Sequence, residues 1–263
     1  MVVLSLSDWI SGGKKLDSIV NCDCLDALRE LPDKSIDMIL CDLPYGITEC
    51  KWDSIIPLEK LWENYTRIIK DRGAIVLTAS QPFTSKLVLS KEDLFKTEII
   101  WQKTRPSNIF NAHKMFMRWH ESILVFYKSS PTFNPQMTKG KPYSKLHHTQ
   151  DRSKGALGRT GEKEGHITEN KGEYYPKSVI EFSNDNHESL HPTQKPVELF
   201  KYLIKTYSNE SDLVLDNCLG SGTTAVACKQ LGRHFLGFEL DANYCRIADE
   251  RVRTVPEKLE TWF

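Results

Sequence analysis

The sequence predicts an α/β fold, a mostly parallel sheet covered by helices on both faces, and three observations carry that expectation. Short apolar runs alternate with segments of helical period; one run leads through Gly220-x-Gly222 into a helix; and the pattern lapses once, between residues 129 and 188, before resuming. With 263 residues, 40% hydrophobic and 27% charged, the chain is long enough for one large domain that carries an insertion.

Taken in order, Ser18–Asp23 and Ile36–Cys41 read as strands, the second running into CDLPYGITECKWD, Cys41 to Asp53. Leu58, Leu61, Trp62, Tyr65, Ile68 and Ile69 share a helical face behind Pro57, whose missing N–H is harmless in a first turn. Ala74–Ala79, Glu98–Gln102 and Ser122–Tyr127 are the remaining strands of the first half. From Ser129 to Glu188 polar residues prevail, and an irregular stretch that long is uncommon in a domain unless it is functional or mobile. Order returns at Pro196, which opens a helix with Phe200, Leu203, Ile204 and Tyr207 on one face. Asp212–Asp216 is a strand, Thr223–Leu231 a helix and His234–Phe238 a strand, and Asp241 starts a last helix. Two strands make no core alone, so both ordered halves belong to one seven-stranded sheet. The expected organisation is residues 1–128, an irregular insert at 129–188, and 189–263 completing the first part.

Composition excludes some functions. No apolar run nears the ~18 to 20 residues that span a bilayer, and MVVLSLSDWISGGKK has no basic residue ahead of its apolar start. Neither a membrane partner nor a signal peptide is expected, and the cytoplasm is the expected location. The seven cysteines are an odd number without a C-x-x-C pair, so reduced buried thiols are expected rather than disulfides or a metal site. With 35 basic and 35 acidic residues the net charge is zero, and only its distribution points to a polyanion. Lys139, Lys141, Lys145, Arg152, Lys154 and Arg159 stand against Asp151 alone, and Lys103, Arg105, Lys114, Arg118 and Lys128 against Glu121.

LVLDNCLGSGTTAVA has the form of a nucleotide-binding loop, with glycines that let the backbone approach a ligand. Its acids narrow the ligand. Asp216, at the strand end beside the loop, repels pyrophosphate and favours a cation, whereas Glu239, after the next strand, suits the two hydroxyls of a ribose. S-adenosylmethionine has a ribose and a sulfonium and lacks phosphates.

Three motifs in order, DLPY at Asp42 to Tyr45, HPTQKP at His191 to Pro196 and LGSG at Leu219 to Gly222, resemble the permuted (β-class) amino DNA methyltransferases over nearly the whole chain outside the insert. The resemblance implies a circularly permuted Rossmann-like sheet with an inserted recognition segment, S-adenosylmethionine as cofactor, and methyl transfer to adenine N6 in duplex DNA. Cytosine N4 is the alternative, and a non-catalytic DNA-binding subunit of the same descent another; the acid at 42 favours adenine. The implied catalytic group is Asp42, Leu43, Pro44 and Tyr45. The Asp42 carboxylate and Leu43 carbonyl accept the amino hydrogens of a flipped base, Pro44 stiffens the turn, and the Tyr45 ring stacks on the base. Most of the family has proline where this chain has Leu43.

The implied cofactor residues are Asp23, near the adenine; Thr193 and Lys195, near the methionine end; and Asp216, Cys218, Gly220, Gly222, Thr223 and Glu239 in and around the loop. Lys103, Asn108, Lys139, Lys141, Lys145, Arg152 and Arg159 are the expected DNA contacts. Gly46 to Trp52 is expected to be a lid, and His120 and Glu121 are expected to be structural. No metal is expected, since methyl transfer from a sulfonium needs orientation and charge stabilisation. A cognate restriction endonuclease and a second copy of the chain are the protein partners left open.

Overall fold

The computed structural model describes residues 3–46, 55–147, 166–184 and 194–256, and the chain divides into two units: Met1–Asn134 with Ser178–Phe263, and Pro135–Lys177. The strands are β1 (Val3–Ser5), β2 (Ser18–Asn21), β3 (Ile36–Asp42), β4 (Ile69–Ala79), β5 (Phe95–Ser107), β6 (Arg118–Phe126), β7 (Thr138–Lys139), β8 (Tyr143–His147), β9 (His166–Asn170), β10 (Glu173–Tyr174), β11 (Val179–Phe182), β12 (Leu213–Asp216) and β13 (His234–Glu239). The helices are α1 (Leu6–Ser11), α2 (Cys24–Arg29), α3 (Leu58–Ile68), α4 (Phe83–Leu89), α5 (Val197–Tyr207), α6 (Thr223–Leu231) and α7 (Ala242–Thr254).

The larger unit holds a nine-stranded sheet in the order β1-β2-β13-β12-β3-β4-β6-β5-β11. The pairings are parallel except β4 with β6 and β5 with β6. This corrects the expected seven strands. β1 is three residues long, too short for a periodic signal, and β11 lies inside the polar stretch, with Val179 and Glu181 exposed.

Alternation along the strands divides the core between the two faces. Met38, Leu40, Ala74, Val76, Ile123 and Val125 pack with α5, α6 and α7; Ile39, Cys41, Ile75, Leu77, Leu124 and Phe126 pack with Trp9, Leu28, Leu61, Trp62 and Tyr65 on the other side. Both faces are covered, which is why the central strands read as continuous apolar runs rather than alternating ones.

The smaller unit consists of two antiparallel pairs, β7 with β10 and β8 with β9. Lys139, Lys141 and Lys145 are exposed on it. Both chain ends facing this unit are fastened within the larger one: the Asn134 amide donates to Thr206 O at 2.7 Å, its side chain to Ser208 O at 3.1 Å, and Ser178 O accepts from the Ile100 amide at 2.7 Å. Among the described residues no helix is long and apolar enough to cross a membrane.

Candidate active site

From β12 the chain runs through α6 to β13 on one side of the sheet; from β3 it runs through α3 to β4 on the other. β12 and β3 are parallel neighbours, with Val214 opposite Met38 and Leu215 opposite Ile39. Open α/β sheets bind ligands in the crevice beyond the strand ends at such a reversal. Asp216 ends one strand and Asp42 the other. A cavity of about 660 Å³ lies there, lined by Asp42 to Tyr45 on one side and by Asp216, Cys218, Gly220, Thr223 and Glu239 on the other.

On the glycine-loop side, Asp216 is 3% exposed and accepts from Thr224 Oγ1 at 2.5 Å and from the Cys218 amide at 3.1 Å. Burial, opposed by those two bonds, pushes its carboxyl up to about 7. Glu239 accepts the Gly220 amide at 2.7 Å on one oxygen and the Asp241 amide at 2.8 Å on the other. A carboxylate offers about four lone-pair sites, so each oxygen keeps one for a ligand hydroxyl. Burial raises this carboxyl as well, against the two amides. Gly220 has φ +53°, and a Cβ there would meet nothing within 4 Å, so its backbone lies open to the cavity. Gly222 does not line the cavity: at φ +86° a Cβ would stand 2.8 Å from the Ala248 Cβ, so this glycine lets α6 close on α7. Asp23 lines the cavity while capping α2 through the Leu25 amide at 2.8 Å. The cavity's cations among the described residues, Lys103, Arg118 and Lys195, all come from outside the loop and outside β2, β12 and β13, which flank it. A phosphate has no counter-charge from those elements, whereas a cationic group meets Asp216 and Glu239.

On the other side, the Asp42 carboxylate is held by three donors. Tyr45 Oη donates to Oδ1 at 2.6 Å, Thr78 Oγ1 donates to the same oxygen, and Lys195 Nζ lies 2.8 Å from Oδ2. Thr78 is in reach because β3 and β4 pair Asp42 with Thr78. The Tyr45 ring stacks on Phe83 with centroids 5.4 Å apart, and Lys195 Nζ is 5.5 Å from its centroid. Burial and the neighbouring Asp42 charge push the Tyr45 hydroxyl well above its usual range, Lys195 acting the other way, so it stays a donor. Leu43 is 3% exposed and packs in the core with Cys41 and Leu77. Its side chain fills that core.

Lys195 continues into a charge ladder. Its Nζ is 3.2 Å from Glu121 Oε2, and Lys103 Nζ is 2.5 Å from Glu121 Oε1. Burial alone would lower the Lys195 ammonium, but Asp42, Tyr45 and Glu121 outweigh it and hold the lysine charged. Burial would likewise raise Glu121; the two lysines overcome it and lower its carboxyl.

Several expectations change here. Lys103 is 6% exposed, and its bond to Glu121 directs its charge into the protein rather than onto a phosphate. Lys195, expected near the methionine end of the cofactor, lies 2.8 Å from Asp42. Glu121, assigned a structural place from sequence, lines the cavity and links two lysines. Thr78, Phe83 and Asn217 had no sequence signal, because strand pairing and packing alone bring them in; Asn217 accepts from Tyr65 Oη beneath the loop. Asn108 lines the cavity with φ +67°. Thr193, Arg152, Arg159 and nearly all of the expected lid lie outside the described residues. Among the described residues no three His, Cys, Asp or Glu side chains form a set able to hold a metal.

Comparison with known proteins gives this arrangement relatives. A DNA methylase family model covering N6 and N4 methyltransferases matches residues 36–250. The Type II methyltransferase M1.MboII of Moraxella bovis is 29% identical over 262 residues, spanning 89% of this chain and 96% of that protein. Among solved structures, the M1.HpyAVI–SAM complex aligns with a TM-score of 0.59 at 23% identity, over 89% of this chain and 98% of that one. The cytosine-N4-specific PvuII DNA methyltransferase aligns with a TM-score of 0.63 at 16% identity, over 89% of this chain and 85% of that one. At such identities the two structures speak for the fold alone.

Proposed function

The chain belongs to the DNA methylase family, and on that premise we propose that it transfers the methyl group of S-adenosylmethionine to adenine N6 in duplex DNA at a defined sequence. The observation that carries the reading is the meeting, in one cavity, of the Asp42 to Tyr45 turn with the glycine loop and its acids.

When bound, S-adenosylmethionine supplies a methyl group activated by a sulfonium. Gly220, Cys218, Thr223 and Asp216 would hold it along the loop, Glu239 would take the ribose hydroxyls, and Asp23 would face the adenine. Among the residues of the loop and its flanking strands that line the cavity none is a cation, which favours a ligand without phosphates.

An exocyclic amino group is a poor nucleophile because its lone pair is delocalised into the ring. Asp42 and Leu43 both line the cavity, and the carboxylate of the one and the carbonyl of the other accept its two hydrogens and stabilise the positive charge that develops on nitrogen. Tyr45, Thr78 and Lys195 fix the plane of the Asp42 carboxylate beforehand. Phe83 backs one face of Tyr45, and the flipped adenine stacks on the opposite face. Lys139, Lys141 and Lys145, exposed on the smaller unit, contact the phosphate backbone, with Arg152 and Arg159 of the same basic segment. We take the recognition segment, expected at 129–188, to be Pro135–Lys177, since β11 belongs to the large sheet, and the catalytic turn preceding the glycine loop is the permuted order. We place the enzyme in the cytoplasm, with a cognate restriction endonuclease and a second copy of the chain as the protein partners left open.

The test is methylation-sensitive long-read sequencing of DNA from cells expressing the protein, beside an Asp42→Ala control. N6-methyladenine at one motif, absent from the control, is expected. N4-methylcytosine at that motif would overturn the choice of base, and identical patterns in both samples would overturn the activity.

A further inference from the structure

Between β5 and β6, and over the first two residues of β6, the chain reads NIFNAHKMFMRW, Asn108 to Trp119, and turns apolar side chains toward water. Phe110 is 95% exposed and Phe116 99%; Ile109, Met115 and Trp119 are exposed beside them. Single exposed apolar residues are ordinary, but a run of this density marks a contact surface. The loop is built rather than frayed. Ser107 pairs with Arg118 at its base, a short 3₁₀ turn spans Ile109–Asn111, and Asn111 Nδ2 donates to Asn108 Oδ1 at 2.6 Å. The Lys114 and Met115 amides close onto Asn111 O at 2.8 and 3.0 Å.

Two further facts identify the occupant. From Ile99 to His120 there is no acid, while Arg105, Lys114 and Arg118 are basic and Lys103 is already paired with Glu121, in a chain whose net charge is zero. Asn108 and Arg118, at the two ends of the loop, line the same cavity as Asp42 and Tyr45. The aromatic surface therefore stands at the rim of the catalytic cavity, in positively charged surroundings. Duplex DNA supplies both complements at once, stacked bases between phosphates.

We propose that residues 108–119 form a wedge that enters the duplex where the target base has left the stack, with Phe110 and Phe116 against the neighbouring bases and Lys114 and Arg118 on flanking phosphates. The inference rests on the reading of the protein as a DNA methyltransferase. A vacated stack is an apolar gap that water fills poorly, and side chains inserted between base steps stabilise such openings. The wedge thus works on the extrusion of the base and not on the transfer of the methyl group.

The experiment compares the parent with a Phe110→Ser/Phe116→Ser variant on a short duplex bearing the motif mapped by sequencing, either fully paired or mismatched at the target base so that it is already unpaired. Because both side chains are exposed, the variant is expected to melt with the parent and to bind S-adenosylmethionine equally. The ratio of paired to mismatched rates is expected to fall by roughly 5- to 150-fold, the range that stacking of one base corresponds to. 2-Aminopurine at the target position, bright in the parent complex, is expected to stay quenched in the variant complex. Equal losses on both duplexes, or no loss, would overturn the wedge, as would dissociation of a parental dimer into monomers by the two substitutions. A parent that methylates neither duplex would instead refute the proposed activity.

Discussion

Glu121→Gln tests the charge ladder. Glu121 bridges two buried ammoniums, Lys103 at 2.5 Å and Lys195 at 3.2 Å. A glutamine occupies the same volume and can accept one hydrogen bond, but it carries no charge. Breaking a buried pair by removing one partner costs about 3–5 kcal/mol. Lys195 keeps Asp42 at 2.8 Å and Lys103 keeps Ser107 Oγ at 3.3 Å, so neither ammonium is left without a partner and the expectation falls to the lower end or just below it. We expect a loss of about 2–3 kcal/mol in urea unfolding, and at about 2–4 °C per kcal/mol for a domain of this size a fall in Tm of roughly 4–12 °C. Turnover adds a second readout, because a lysine freed from Glu121 swings toward Asp42 alone and turns its carboxylate from the base. kcat is then expected to fall while the KM for S-adenosylmethionine holds. A variant that melts within a degree of the parent and keeps its kcat would show that Glu121 neither balances the lysines nor helps to aim Asp42.

Three other perturbations have defined outcomes. Asp216 has its carboxyl raised from 3.8 to about 7. The folded protein therefore keeps a proton that the unfolded chain sheds between those values, and stability drops as pH rises through that window, by about 4 kcal/mol at 1.36 kcal/mol per unit; Asp216→Asn should flatten that slope in urea midpoints from pH 4 to 8, and parallel curves would refute it. Gly222→Ala, at φ +86° and 2.8 Å from Ala248, is expected to destabilise by about 2–4 kcal/mol, so an unchanged melting temperature would deny the tight α6–α7 approach. Leu43→Pro removes part of a side chain that is 3% exposed but keeps the carbonyl, so calorimetry should show a loss of about 1 kcal/mol with turnover retained; lost turnover with unchanged stability would place the role of Leu43 in the chemistry instead.

The sequence made most of the sheet legible because strands buried on both faces leave unmistakable apolar runs, as at Ile36–Cys41 and Ala74–Ala79. Asp42, Tyr45, Gly220 and Glu239 were legible because each stands at a strand end or in a glycine turn, positions where a bland residue would serve structure better. Edge strands leave weaker traces: Val179–Phe182 pairs on one side only, with alternate residues exposed. The Lys103–Glu121–Lys195 ladder had no local signature at all. Its members come from β5, β6 and the start of α5, and only the folded sheet brings them within bonding distance. Gly222 shows the converse. Its glycine was legible, but whether it made room for a ligand or for a helix depended on Ala248, which no spacing rule connects to it.

The fastening of the chain at Asn134 and Ser178 sets the proposed recognition segment apart from the residues of the cavity. Hydrogen bonds to the end of α5 and to β5 hold those two residues, so the sheet, the Asp42 turn and the glycine loop are complete on their own side of both junctions. Among the described residues none of Pro135–Lys177 lines that cavity, so on the proposed reading an exchange within that segment is expected to change the target sequence and to leave the chemistry as it was.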